Sequence, residues 1–152
     1  MSDSDQRRVR LERVETGVYR ATNDKGAELV FGSLLEDGFT PVELLLAAIG
    51  GCSAVDVDLM TTRRAAPERF ELEVTADKVE QDGGNLLRDI ELTFRVRFPD
   101  GPDGDKARDR LPKAVQHSHD RTCTVSRTVE AGIPVGVRID DSVHSGDRRD
   151  LR

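Results

Sequence analysis

The clearest pattern in the chain runs from residue 70 to residue 98. Phe70, Leu72, Val74 and Ala76 alternate with polar neighbours, Asp82, Gly83, Gly84 and Asn85 form a turn signal, and Ile90, Leu92, Phe94, Val96 and Phe98 alternate again. Successive side chains of a strand point to opposite faces, so this pattern predicts a long hairpin with one apolar face. Shorter strands are predicted at Val9 and Leu11, at Val18 to Thr22 and at Glu28 to Phe31, the last two divided by the turn residues Asn23, Asp24, Lys25 and Gly26. Together they predict a small antiparallel sheet.

Between these strand regions the period changes. Thr40, Pro41 and Glu43 supply an N-cap, a proline suited to the first helical position and the carboxylate of a capping box, ahead of Leu44, Leu45, Leu46, Ala47, Ala48 and Ile49. A helix that is apolar on nearly every side has to be buried. One small sheet covers a single side of it, so a partner subunit is the natural cover for the rest. Gly50 and Gly51 lower helix propensity and predict a joint just before Cys52, with helix resuming from Ser53 and ending near Arg64.

After the hairpin, a loop from Pro99 to Gly104 leads into a predicted helix from Asp105 to His119, which Pro112 kinks or restarts. Cys123 follows, and Ile133 to Ile139 has a strand pattern. The order of strands, buried helix, hairpin, helix and strand contains no alternating βαβ unit, so the fold class is α+β with antiparallel sheets. One domain is expected over residues 1–140, followed by a charged, disordered tail over 141–152.

Composition sharpens two points. Aromatic residues are 4% and Trp is absent, a thin supply of large core side chains that again favours burial against a second subunit. A formal net charge of -6 gives no attraction to phosphate backbones or anionic membranes, so neither nucleic acid nor membrane is expected as a partner. Met1 to Arg10 lacks the apolar stretch of a signal peptide, and no run approaches the roughly 18 apolar residues of a spanning helix. These features imply the cytoplasm, where ordinary thiols stay reduced, so any pairing of the two cysteines is expected to be transient.

A thiol reacts as its thiolate, and a helix N-terminus favours that anion. If the helix restarts after Gly50 and Gly51, free N–H groups point at the Cys52 sulfur; without a restart, Cys52 is equally a small buried hydrophobe. Asp56, one turn further on, disfavours a thiolate and reads as structural or interfacial. His117 and His119 near Cys123 raise zinc, but CxxC and HExxH spacings are absent. No GxGxxG, Walker A or GxSxG motif occurs, so no cofactor is expected and serine hydrolase chemistry has no foothold.

The stretches TPVELLLAAIGGCSAVDV, Thr40 to Val57, and SHDRTCTVSRTV, Ser118 to Val129, resemble the two cysteine motifs of the OsmC and organic hydroperoxide resistance (Ohr) family. Their order and the hairpin between them are also similar, and the resemblance covers about residues 8–140. It implies an OsmC-like fold: an intertwined homodimer with the central helices at its core and active sites at the interface. It also implies a thiol-dependent peroxidase in oxidative-stress defence. In that chemistry Cys52 attacks an organic hydroperoxide, becomes a sulfenic acid and condenses with Cys123 to a disulfide, which a dithiol or lipoylated protein reduces.

The match departs from the better characterised members at one point. They carry an active-site glutamate at the position occupied here by Val42, paired with an arginine from an N-terminal loop; Glu43 is offset from that position by about 100° around a helix. Glu43 is thus a candidate catalytic carboxylate and equally the capping partner of Thr40, while Arg20 is the nearest arginine by location. This resembles a less characterised branch of the family. It keeps open a second expectation, a dimeric protein that binds a small ligand or zinc without significant peroxide turnover.

Overall fold

The computed structural model describes residues 5–140, so the expected tail over 141–152 lies outside the described residues. Three strands, β1 (Val9–Glu15), β2 (Val18–Asn23) and β3 (Glu28–Gly32), form an antiparallel sheet in sequence order. The Asn23 side-chain oxygen accepts the N–H groups of Lys25 and Ala27, each at 3.0 Å, which closes the turn between β2 and β3.

The alternating segment forms the second sheet, β4 (Arg69–Gln81) paired antiparallel with β5 (Gly84–Arg97). Gln81 pairs directly with Gly84, which leaves a two-residue turn of Asp82 (φ 53°) and Gly83 (φ 79°). Left-handed backbone at both positions matches the twist of the flanking strands, and an Asp-Gly pair adopts it readily. Phe70, Leu72 and Val74 face Val96, Phe94 and Leu92 across the ladder, and the Phe70 and Phe94 rings meet edge to face with centroids 6.1 Å apart.

Helix α1 (Pro41–Thr62) lies between the two sheets in sequence. Its capping box forms in both directions: the Thr40 N–H donates to the Glu43 carboxylate at 2.7 Å, and the Glu43 N–H donates to the Thr40 hydroxyl at 3.2 Å. The joint expected at Gly50 and Gly51 is absent, because the helix runs through both residues. A Cβ added at Gly50 would lie 2.5 Å from Val74 Cγ2, whereas one at Gly51 would meet nothing. Gly50 therefore lets the hairpin approach the helix, and that packing outweighs the helix-propensity cost of about 1 kcal/mol.

One face of α1 is covered and the other is not. Ile49, Ser53, Val57 and Thr61 recur every fourth residue as a buried stripe, while Val55 and Leu59 on another face are 59% and 63% exposed. By length and composition α1 is apolar enough to cross a membrane, contrary to the sequence expectation that no run approaches that length. The hairpin, α2 and α3 pack against α1, and 28% of that apolar window is buried within the chain.

Helix α2 (Pro102–His117) starts earlier than expected because Pro102 suits the first turn, and it continues through Pro112; its small buried residues Ala107 and Ala114 accompany its packing on α1. The chain then widens into a π-helical turn, Ser118–Thr122, and enters α3 (Thr124–Ala131), a helix the sequence pattern does not predict. The strand expected over Ile133 to Ile139 is not formed: Val135 and Val137 are 88% and 90% exposed and no described strand pairs with the segment. Its alternation is real, but a strand needs a neighbour to satisfy its backbone.

Gly50→Ala gains helix propensity but forces a methyl group against Val74, and overpacking costs about 1–3 kcal/mol. The expected outcome is a lower urea midpoint, by about 1 kcal/mol in stability. A midpoint equal to or above wild type would contradict the close approach.

Candidate functional site

Cys52 sits half-buried in the middle of α1, and Cys123 is fully buried at the N-cap of α3; both are free thiols. The two thiols are near enough for Cys123 to act on Cys52 electrostatically, so residues far apart in the chain are brought together. The first turn of α3 serves both sulfurs: the Ser126 N–H donates to Cys123 at 3.5 Å, and the Val125 N–H acts on Cys52 to favour its thiolate. The Cys123 thiol in turn donates to Ser126 Oγ at 3.1 Å.

A helix N-terminus does face Cys52, but it belongs to α3 and not to a restart of α1. Its effect is also outweighed. Burial pushes the Cys52 thiol above its ordinary value of 9.0; the Val125 N–H opposes this, while the Cys123 thiol and the Asp56 carboxylate act in the same direction as burial. Cys52 is thus held protonated at rest, contrary to the lowering expected from the sequence.

Asp56, one helical turn beyond Cys52, accepts hydrogen bonds on a single carboxylate oxygen from Ser118 Oγ at 2.9 Å and Thr122 Oγ1 at 2.7 Å. Ser118 is fully buried and also reaches Ser53 Oγ at 3.3 Å. This polar network was not assigned from the sequence. The available signal was the fall of Ser118 and Thr122 just before Cys123, at the spacing of one helical turn, opposite an acidic residue one turn after Cys52.

Glu43 is placed elsewhere. It lies at the start of α1, nine residues and roughly 13 Å of helix from Cys52, where the Thr40 N–H and hydroxyl hold its carboxyl below the ordinary value. Arg20 pairs with Glu28 at 3.7 Å across the N-terminal sheet. The structure therefore joins Cys52 and Cys123 and gives Glu43 the capping role. His117 is exposed, His119 pairs with Glu130 at 3.6 Å, and among the described residues no group of three or more His, Cys, Asp or Glu side chains is arranged to hold a metal.

A cavity of about 320 Å³ adjoins the thiols. It is lined by Ile49, Ile90, Leu92 and Phe94, with Ser53 and Ser126 at the side of the cysteines. Neither sulfur lines it, but the residue after Cys52 and the hydroxyl bonded to Cys123 both do. The lining is mostly apolar, and Glu91, His119 and Glu130 add polar groups to it.

Residues 34–138 match the family model described as OsmC-like protein. An uncharacterised protein of Mycobacterium tuberculosis is 28% identical over 132 residues, covering 86% of this chain and 94% of the relative. Among solved structures, a hypothetical protein from Aquifex aeolicus is 24% identical with a TM-score of 0.67, covering 84% of this chain and 89% of that one. The organic hydroperoxide resistance protein OhrB of Bacillus subtilis is 20% identical with a TM-score of 0.51, covering 86% and 95% respectively. At these identities the structural likeness shows a shared fold.

The raised thiol of Cys52 has a direct readout. In the reduced protein, alkylation of Cys52 by a neutral reagent, followed by peptide mapping, is expected to rise with pH with a midpoint above 9.0. A midpoint at or below that value would contradict the dominance of burial at this site.

Proposed function

The chain belongs to the OsmC-like family, and from that membership and the paired thiols we propose that it is a thiol-dependent peroxidase reducing organic hydroperoxides in oxidative-stress defence. The observation that carries the proposal is the contact between the Cys52 and Cys123 side chains beside an apolar cavity. Cys52 is the attacking thiol because it is the more exposed of the two.

In the first step the Cys52 thiolate attacks the terminal oxygen of the hydroperoxide, the O–O bond breaks, and the alkoxide leaves as the alcohol after taking up a proton. Cys52 is now a sulfenic acid, oxidised by two electrons. The Cys123 sulfur then attacks the Cys52 sulfur, an S–S bond replaces the S–O bond, and the hydroxyl leaves with the Cys123 proton as water. A dithiol or lipoylated protein restores the thiols by attacking Cys52, the accessible sulfur, and expelling Cys123 as a thiolate next to the Ser126 N–H. The reductant's second thiol then displaces Cys52, and the two electrons of the cycle are supplied.

The protonated resting state of Cys52 favours a second reading, a small-ligand-binding protein in which the cavity is occupied without turnover. Hydroperoxide consumption with a dithiol reductant separates the two. Cys52→Ser is expected to abolish consumption, and Cys123→Ser, assayed without reductant, to consume one equivalent and accumulate oxidised Cys52. Activity in both variants equal to wild type would contradict the peroxidase assignment.

The same membership, with the uncovered face of α1, supports a homodimer in which the stripe of Gly51, Val55 and Leu59 is buried against a second copy. The alternating segment Ile133 to Ile139 is available for the same interface. Light scattering is expected to give twice the mass of one chain, and Leu59→Glu to shift it toward the monomer. A wild-type mass of one chain would contradict the dimer.

A further inference from the structure

Resting on the two-thiol mechanism above, we propose that Asp56 is a positioning residue, whose carboxylate gathers Ser118 and Thr122 so that the turn between them delivers Cys123 to Cys52. Cys52 and Asp56 stand one turn apart on α1 and share a face. Ser118 and Thr122 are the first and last residues of the π-helical turn, and both donate to the same oxygen of Asp56, at 2.9 and 2.7 Å. The Cys123 N–H closes the turn by donating to the Ser118 carbonyl at 2.8 Å. Both ends of the segment are therefore fixed to α1 immediately before the second thiol begins α3.

The chemistry of Asp56 fits this role better than a role in activating Cys52. A carboxylate beside a thiol opposes thiolate formation. The same negative charge strengthens two hydroxyl hydrogen bonds on one atom, which a neutral acceptor does less well. π-helical turns are rare and frequent at functional sites, and this one is bonded at both ends to the helix that carries the other cysteine. The clamp raises the effective concentration of one thiol at the other, the quantity on which disulfide formation depends.

The test uses the full chain equilibrated across ratios of oxidised to reduced dithiothreitol, with the Cys52–Cys123 disulfide read by alkylation and mass spectrometry. In this exchange the cyclic disulfide of the reagent takes up the two electrons and two protons that the protein dithiol gives up. Asp56→Ala is expected to lower the equilibrium constant for the protein disulfide by about tenfold or more, the size of a lost charge-assisted hydrogen bond. Ser118→Ala combined with Thr122→Val removes both donors, keeps the charge, and is expected to do the same, which covers the case of an Asp56→Ala variant that fails to fold.

Asp56→Asn keeps the shape and an acceptor oxygen but not the charge, so it is expected to recover the disulfide in part, between Asp56→Ala and wild type. It is also expected to lower the pH at which Cys52 is alkylated, because of the groups facing that thiol, Asp56 on α1 and Cys123 at the start of α3, it removes the carboxylate charge. The Ser118→Ala/Thr122→Val variant retains the charge and is expected to leave that pH no lower than wild type. Wild-type equilibrium constants in both Asp56→Ala and the double variant would overturn the positioning role. A wild-type protein that forms the disulfide in dithiothreitol but not with hydroperoxide would overturn the peroxidase reading and leave the positioning role standing.

Discussion

The structure depends on one buried stripe of α1. Ile49, Ser53, Val57 and Thr61 lie on the same side of the helix, and the hairpin, α2, the π-helical turn and α3 all pack against α1. The polar members of the stripe are satisfied where they lie: the Thr61 hydroxyl returns to the Val57 carbonyl at 2.9 Å, and the Ser53 and Ser118 hydroxyls pair at 3.3 Å. Small residues make the approach close, Gly50 toward β4 and alanines along α2. Because Cys52 is next to Ser53 on this helix, whatever is packed against the stripe is also packed beside the thiol.

Two opposed electrostatic effects follow from that packing. The first turn of α3 directs its unpaired N–H groups at both sulfurs, which favours negative charge there. Burial and the neighbouring Asp56 carboxylate oppose it at Cys52 and prevail. A nucleophile held back in this way sacrifices speed at neutral pH and is protected from adventitious modification. In the proposed cycle a departing thiolate at Cys123, by contrast, meets the Ser126 N–H. The arrangement suits a thiol pair that cycles through a disulfide more than a single, permanently activated cysteine.

Much of this fold was legible in the sequence wherever a local signal and the tertiary environment agreed. The hairpin, its Asp-Gly turn and the capped start of α1 are such cases. The Gly50–Gly51 pair misled because propensity described an isolated helix, while Gly50 is required by contact with Val74. Helix α3 was hidden by the β-branched residues in Thr124–Ala131, and is started by an N-cap supplied by a cysteine. The Ile133 to Ile139 alternation predicts a strand, but among the described residues no strand pairs with it. At the site, the two cysteines were legible as a pair only through the family resemblance. The Asp56 network was not, because its hydroxyl donors come from a turn whose geometry no local pattern specifies.

The central claim is that the contact between Cys52 and Cys123 is a working redox pair. One equivalent of cumene hydroperoxide added to the fully reduced protein, followed by proteolysis without reductant and mass spectrometry, tests it most directly. The expected product is one pair of peptides joined through Cys52 and Cys123, lighter by two hydrogens than the separate peptides. Recovery of both cysteines as free thiols, or of Cys52 irreversibly oxidised with Cys123 untouched, would contradict it.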